Sequence, residues 1–236
     1  AVQKSASLIR AAGEHILFMR GEESHSGSHA GHAALWSMNG GGSLIRQGCH
    51  PLSALLYLKY QEAAIRGEDI SLKSVMGDMG VMQACLGEEE KRYILSRPVD
   101  VEDQANVVLT FSDGTKANIV AGDMVLGGVR NLVEVYTNEG TYLSNIAPNN
   151  AMPVYHVDQQ DLESVYITEK VENKSGWQNV FIDEETARGY VGELQDFMEC
   201  VATGRKPQSD FQLAYDSVKA IYAAYLSDGE GIRVEL

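Results

Sequence analysis

Two tight turns in the middle of the chain, at Ser112, Asp113 and Gly114 and at Asn138, Glu139 and Gly140, constrain the fold more than any other feature. Each stands between two runs rich in strand-forming residues, 105–111 and 115–120 around the first, 131–137 and 141–144 around the second. Asp-Gly and Asn-x-Gly chemistry supplies the backbone angles a hairpin needs, so the chain from Val101 onward reads as antiparallel strands. A further strand or two is expected between Met152 and Ile182.

Helical periodicity lies on either side. Val2, Ala6 and Ile9 share one face of an opening helix that Gly13 stops, and 15–20 reads as a short strand. A Gly/Ser/His-rich loop over 21–39 leads to Gly40, Gly41 and Gly42, and then to a long helix over 43–65. There Leu44, Gly48, Leu52 and Leu55 recur every three or four residues. Residues 70–98 predict little beyond a short helix near 88–94. The chain closes on two helices. Tyr190, Leu194, Phe197 and Val201 form the stripe of the first, which Gly204 caps. A Ser209-to-Gln212 capping box opens the second, its Phe211, Tyr215, Val218, Tyr222 and Tyr225 reading as core, and Gly229 ends it before a short strand at 232–235. Strands in the middle and helices at both ends predict an α+β domain over 1–236, an open, mainly antiparallel sheet with helices on one face. If the other face is apolar, a partner subunit should cover it.

An excess of 33 acidic over 19 basic residues gives a net charge of −14 in 236 residues, which argues against nucleic acid or an anionic membrane as partner. No run approaches the roughly 18 apolar residues needed to span a bilayer, and no signal peptide is visible. Three scattered cysteines, Cys49, Cys85 and Cys200, are no disulfide framework, and a reducing cytoplasm is expected. The run Gly40 to Gly42 follows a loop and lacks GxGxxG spacing, so it is no dinucleotide fingerprint.

The same segment, GGGSLIRQGCHPLSALLYL over 40–58, resembles the glycine-rich helix signature of the glucose–fructose oxidoreductase, inositol dehydrogenase and rhizopine-catabolism (Gfo/Idh/MocA) family. Gly40, Gly41, Gly42, Leu44, Gly48 and His50 fall in register with its G-G-G-x-L-x-D-x-G-x-H pattern. ESHSGSHA over 23–30, the hairpin after Val101, Glu102 and Asp103, and GYVGELQDFMECVATGRKP over 189–207 are similar to further segments of the family, in the same order. The resemblance implies the second half of a two-domain protein, with a C-terminal fold like that of glyceraldehyde-3-phosphate dehydrogenase. The implied partner is a Rossmann domain that this sequence does not show, and the opening helix would follow it. It also implies NAD or NADP, bound mainly by that domain, a sugar, inositol or related polyol as substrate, and a homo-dimer or homo-tetramer formed through the sheet face. On that reading this piece alone is inactive. A metal-assisted lyase or hydrolase of the same fold, or a non-catalytic sugar-binding or assembly module, are the rival readings.

The resemblance gives His50 the role of general base, and imidazole titrates near neutrality as that role requires. Pro51 should disturb the helix beside it. Arg46 departs from the family, which has aspartate four residues before the histidine. A guanidinium there would tend to lower the histidine's pKa, and Arg46 is expected to hold an anionic or oxygen-rich substrate group. His25, His29 and Trp36 are candidate substrate contacts. His25, His29 and His32 match no established metal signature, and no metal is expected. Cys49 reads as packing, and Glu102 and Asp103 as solvated strand-start acids.

Overall fold

The computed structural model describes residues 1–147, 152–157, 174–180 and 183–236. In chain order the helices are α1 (Val2–Ala12), α2 (Trp36–Asn39), α3 (Cys49–Arg66), α4 (Glu184–Arg188), α5 (Tyr190–Thr203) and α6 (Phe211–Glu230). The strands are β1 (Ile16–Ser24), β2 (Leu72–Gly80), β3 (Gln104–Phe111), β4 (Lys116–Gly122), β5 (Arg130–Thr137), β6 (Thr141–Asn145), β7 (Met152–His156), β8 (Gly176–Val180) and β9 (Val234–Glu235). A π-helical turn, Leu44–Gly48, runs into α3. Seven strands form one sheet in the order β6-β5-β1-β4-β3-β2-β9, and β7 pairs with β8 separately. Every pair is antiparallel except β1 with β4, which run parallel from Phe18↔Lys116 to Ser24↔Gly122.

The two expected hairpins are β3–β4 and β5–β6, each within two residues of its predicted bounds. Helices α3 and α6 lie on one face of the sheet, with α1 against α3. Met19, Leu52, Leu55, Leu56, Leu109, Ile119, Val133 and Ile221 meet between the layers. A fully buried lysine locks them together: Lys59 Nζ lies 2.7 Å from both Glu62 Oε2 and Asp113 Oδ2, and Glu62 Oε1 accepts from the Ile16 backbone N–H at 3.0 Å. Buried charges cost desolvation, so this network fixes the register of α3 on β1 and on the β3–β4 turn more than it adds stability.

Several expectations need correction. Strand β1 runs on to Ser24 where a loop was expected from Gly21. A Cβ on Gly21 would stand 2.7 Å from Pro51 Cβ, so this glycine lets α3 approach the strand. Strand β2 was not foreseen. Its Gly77 interrupts the pattern because a Cβ there would meet the Ala224 carbonyl of α6 at 2.4 Å. Residues 88–93 form turns, not a helix. Asp210, not Ser209, caps α6, accepting from Leu213 N–H at 3.1 Å, and Gly231 rather than Gly229 ends it. The closing strand is shorter, Val234–Glu235.

The aromatic stripe of α6 is not core. Phe211, Tyr215, Val218 and Tyr222 are exposed, while Ala220, Ile221, Ala223 and Ala224 make the buried side. Small residues let the helix sit close to β2, which is why its larger side chains point away. In α5 the stripe Tyr190, Leu194, Phe197 and Val201 is also exposed. Its main neighbour is α4, and Arg205 braces its end through Asp196 at 2.7 Å and Glu199 at 2.8 Å. No described helix is long and apolar enough to cross a membrane.

Candidate functional site

The run Gly40 to Gly42 owes its composition to packing. Gly42 N–H donates to Glu102 Oε2 at 2.9 Å and Leu44 N–H to Glu102 Oε1 at 2.8 Å, while Tyr225 O–H donates to Oε1 at 2.9 Å. A Cβ on Gly42 would stand 1.9 Å from the Glu102 carbonyl oxygen, and one on Gly41 would strike the Tyr225 hydroxyl. Glu102 is therefore buried, not solvated: it satisfies the unpaired N–H groups where the helical segment begins and places a carboxylate at its positive end. Asp103 is buried as well and does the same for the 3₁₀ turn Met82–Cys85, accepting from Met82 N–H at 2.6 Å and Gln83 N–H at 3.1 Å.

The helix then loosens where Pro51 removes a backbone donor. The irregularity falls at Leu44–Gly48, one turn before His50, as a π-helical turn. Arg46 and Gln47 on that turn both reach Asp123, which follows β4: Arg46 donates to Oδ2 and Gln47 Nε2 to Oδ1. Asp123 is buried, and desolvation lowers the pKa of Arg46, opposed by the nearby Glu102 carboxylate. Arg46 is thus neither solvent-facing nor a bare cation, because its charge is matched by a carboxylate from the sheet.

His50 stands at the surface end of this arrangement, its side chain 60% exposed. Its Nδ1 lies 2.9 Å from Glu23 Oε2, and the Asn131 amide donates to the same oxygen at 2.7 Å. Glu23 is buried near the end of β1 and Asn131 starts the neighbouring β5, so two strands of the sheet hold the partner of a helical histidine. Hydrogen bonding with the Cys49 side chain, and then with Glu23, raises the His50 pKa to about 10. The expectation that Arg46 would depress it is overturned, since the neighbouring carboxylate and thiol favour imidazolium and Asp123 absorbs the guanidinium charge. Cys49 packs against the core, as expected from the sequence.

His25, Arg46 and His50 line one cavity of about 290 Å³, together with Glu23, Ser28, Gln47, Val129, Arg188 and Tyr190. His25 Nδ1 accepts from Gly27 N–H at 2.9 Å, which leaves the ring proton of a neutral imidazole on Nε2. His29 lines a neighbouring cavity, also about 290 Å³, with Arg92 and Arg97, and the two share Ser28. Trp36 lies apart from both. Its indole meets Tyr225 edge-on at 4.9 Å and Tyr222 at 6.5 Å between ring centres. Ser53 and Tyr57, one and two turns further along α3 than His50, do not line the cavity, and the Ser53 hydroxyl donates to Ser217 of α6 at 2.9 Å. Sequence reading missed Glu23, Gln47, Asn131 and Asp123. Among the described residues no three His, Cys, Asp or Glu side chains converge as a metal site would require.

A family model, GFO/IDH/MocA C-terminal domain, matches residues 15–143. No curated protein matches the chain in sequence. Among solved structures, GenD2 from gentamicin A biosynthesis, in complex with NAD, superposes with a TM-score of 0.77 at 23% identity, covering 100% of this chain and 60% of its own. Myo-inositol 2-dehydrogenase from Lactobacillus plantarum gives 0.67 at 15%, covering 100% and 61%. Scyllo-inositol dehydrogenase from Lactobacillus casei, with bound NAD(H) and scyllo-inositol, gives 0.65 at 15%, covering 99% and 61%. At these identities the likeness shows the fold, and the chain spans about 60% of the length of each.

Proposed function

The chain belongs to the GFO/IDH/MocA C-terminal domain family, and from that premise we propose that it is the substrate-binding half of a nicotinamide-dependent oxidoreductase acting on a sugar, inositol or related polyol. The observation that carries this reading is the Glu23–His50 pair, a histidine bonded to a buried carboxylate at the mouth of a polar cavity. A base oriented through Nδ1 has Nε2 left for a substrate hydroxyl, and the carboxylate stabilises the imidazolium that forms. The NAD bound in GenD2 and the NAD(H) and scyllo-inositol bound in the Lactobacillus casei enzyme support the cofactor and substrate classes.

The glycine run fills its own space with Glu102 and Tyr225, so it offers no cradle for a pyrophosphate. A dinucleotide, NAD or NADP, would be held by a separate nucleotide-binding domain. When bound, that cofactor would supply the hydride acceptor or donor for the carbon that bears the reacting hydroxyl. This chain's share is proton chemistry and positioning. In the oxidative direction Nε2 of neutral His50 takes the hydroxyl proton, and in the reductive direction imidazolium returns it to the carbonyl oxygen. His25, Arg46 and Gln47 bind the rest of the ring. His29 contacts a longer substrate from the neighbouring cavity, while Trp36 shapes the loop through its tyrosine contacts. The face of the sheet away from the helices, where Met76, Val108 and Leu143 lie among polar residues, is the surface on which a homo-dimer or homo-tetramer forms.

The test is His50→Ala in the protein that includes the nucleotide-binding half. We expect kcat for polyol oxidation to fall by about 10²–10⁴ with little change in KM. Retention of kcat would remove His50 from the chemistry.

A further inference from the structure

A π-helical turn narrows the angle between consecutive side chains, which in a regular helix diverge by roughly 100°. Here it brings Arg46 and Gln47 onto the two oxygens of one buried carboxylate, Asp123. That contact assigns the Gln47 amide, since its nitrogen must face the carboxylate and its oxygen must turn elsewhere. It also matches the guanidinium charge. What remains is specific: Arg46 Nε–H and Gln47 Oε1 are buried and have no partner among the described residues. Gln47 as a whole is only 2% exposed, and both residues line the cavity that His50 lines. Buried polar atoms are rarely left unpaired, so this donor and this acceptor, on adjacent side chains locked by Asp123, call for a partner.

We infer that Arg46 and Gln47 are the specificity-determining pair of this site and select an uncharged, hydroxyl-bearing ring over anionic or amino sugars. A hydroxyl group can donate to Gln47 Oε1 and accept from Arg46 Nε–H, so one hydroxyl or two neighbouring ones satisfy both. A carboxylate or phosphate can accept from Arg46 Nε–H but has no proton to give to Gln47 Oε1, so it leaves that buried acceptor unpaired. An ammonium group can donate to Gln47 Oε1 but cannot accept from Arg46 Nε–H, so it leaves that buried donor unpaired. The inference rests on the reading of this cavity as the substrate site, and it replaces the anion-receptor role that Arg46 suggests in the sequence.

The experiment uses the full-length enzyme with myo-inositol, glucose, glucuronate, glucosamine and glucose 6-phosphate, followed both by nicotinamide reduction and by calorimetric binding. Gln47→Met keeps the volume and removes the acceptor. Arg46→Lys keeps a cation for Asp123 and removes the Nε donor, and it carries the test if Gln47→Met does not fold. The wild type should prefer one of the two uncharged probes. Each variant should weaken that probe about tenfold or more through KM or Kd, leaving the pH limb set by His50 in place. Preference of the wild type for a charged probe, or unchanged KM and ranking in both variants, would overturn the inference. Oxidation of polyols with indifferent variants would sink the inference and spare the oxidoreductase. Binding that depends on Gln47 without oxidation by either dinucleotide would do the reverse. A wild type that neither binds nor oxidises an uncharged probe would end both.

Discussion

His50 makes the site's pH behaviour a question of two neighbours. With its pKa raised to about 10 by Cys49 and Glu23, the imidazole is protonated at neutral pH and suited to give a proton. Reduction should then be favoured near neutrality, while oxidation, which needs the neutral ring, should rise with pH up to about that value. Glu23→Gln removes one of the two bonds that favour imidazolium. The rising limb of kcat/KM for oxidation should move to lower pH, Glu23→Asp should restore it in part, and an NMR titration of His50 should follow the same shift. An unmoved limb would show that Glu23 does not set the titration. The sign carries over to stability. A folded pKa above the unfolded value of about 6.5 gives a contribution complete below that value and lost as pH climbs toward 10.

The segment from Gly40 to α3 depends on a carboxylate that nothing local announces. Because a Cβ on Gly42 would lie 1.9 Å from backbone, Gly42→Ala should destabilise by about 3 kcal/mol. Glu102→Leu, which strands two N–H groups and the Tyr225 hydroxyl, should cost about as much. Urea unfolding read against the wild type measures both, and a cost under about 0.5 kcal/mol would refute the capping role. The contrast explains what the sequence discloses. Hairpins β3–β4 and β5–β6 are legible because Asp113-Gly114 and Asn138-x-Gly140 act over four residues, and α3 is legible by its period. Glu23 and His50 lie 27 positions apart and Arg46 and Asp123 77 apart, so only tertiary structure joins them. Gly21 and Gly77 mislead for a related reason: they mark where a helix approaches the sheet, and a strand holding such a glycine reads as a break. Glu102 passes as a surface acid until the helix start it serves is seen beside it.

At the scale of the whole molecule, α1, α3 and α6 account for one face of the sheet, and the proposed assembly uses the other. Leu143, 69% exposed, and Met76 lie on that outer face. Leu143→Asp or Met76→Asp should shift the full-length protein toward monomer in sedimentation velocity without lowering the melting temperature of the monomer, whereas an unchanged distribution would move the interface elsewhere. The single parallel pairing in the sheet has a different kind of consequence. Because β1 and β4 point the same way, Ser24 and Gly122 end side by side, and Glu23 and Asp123 arrive together from segments separated by nearly half the chain. No early local nucleus can contain both acids. During synthesis the ribosome must release everything through Tyr190 before the pocket has all its walls, so a spectroscopic label at His50 would report a late step of folding rather than an early one.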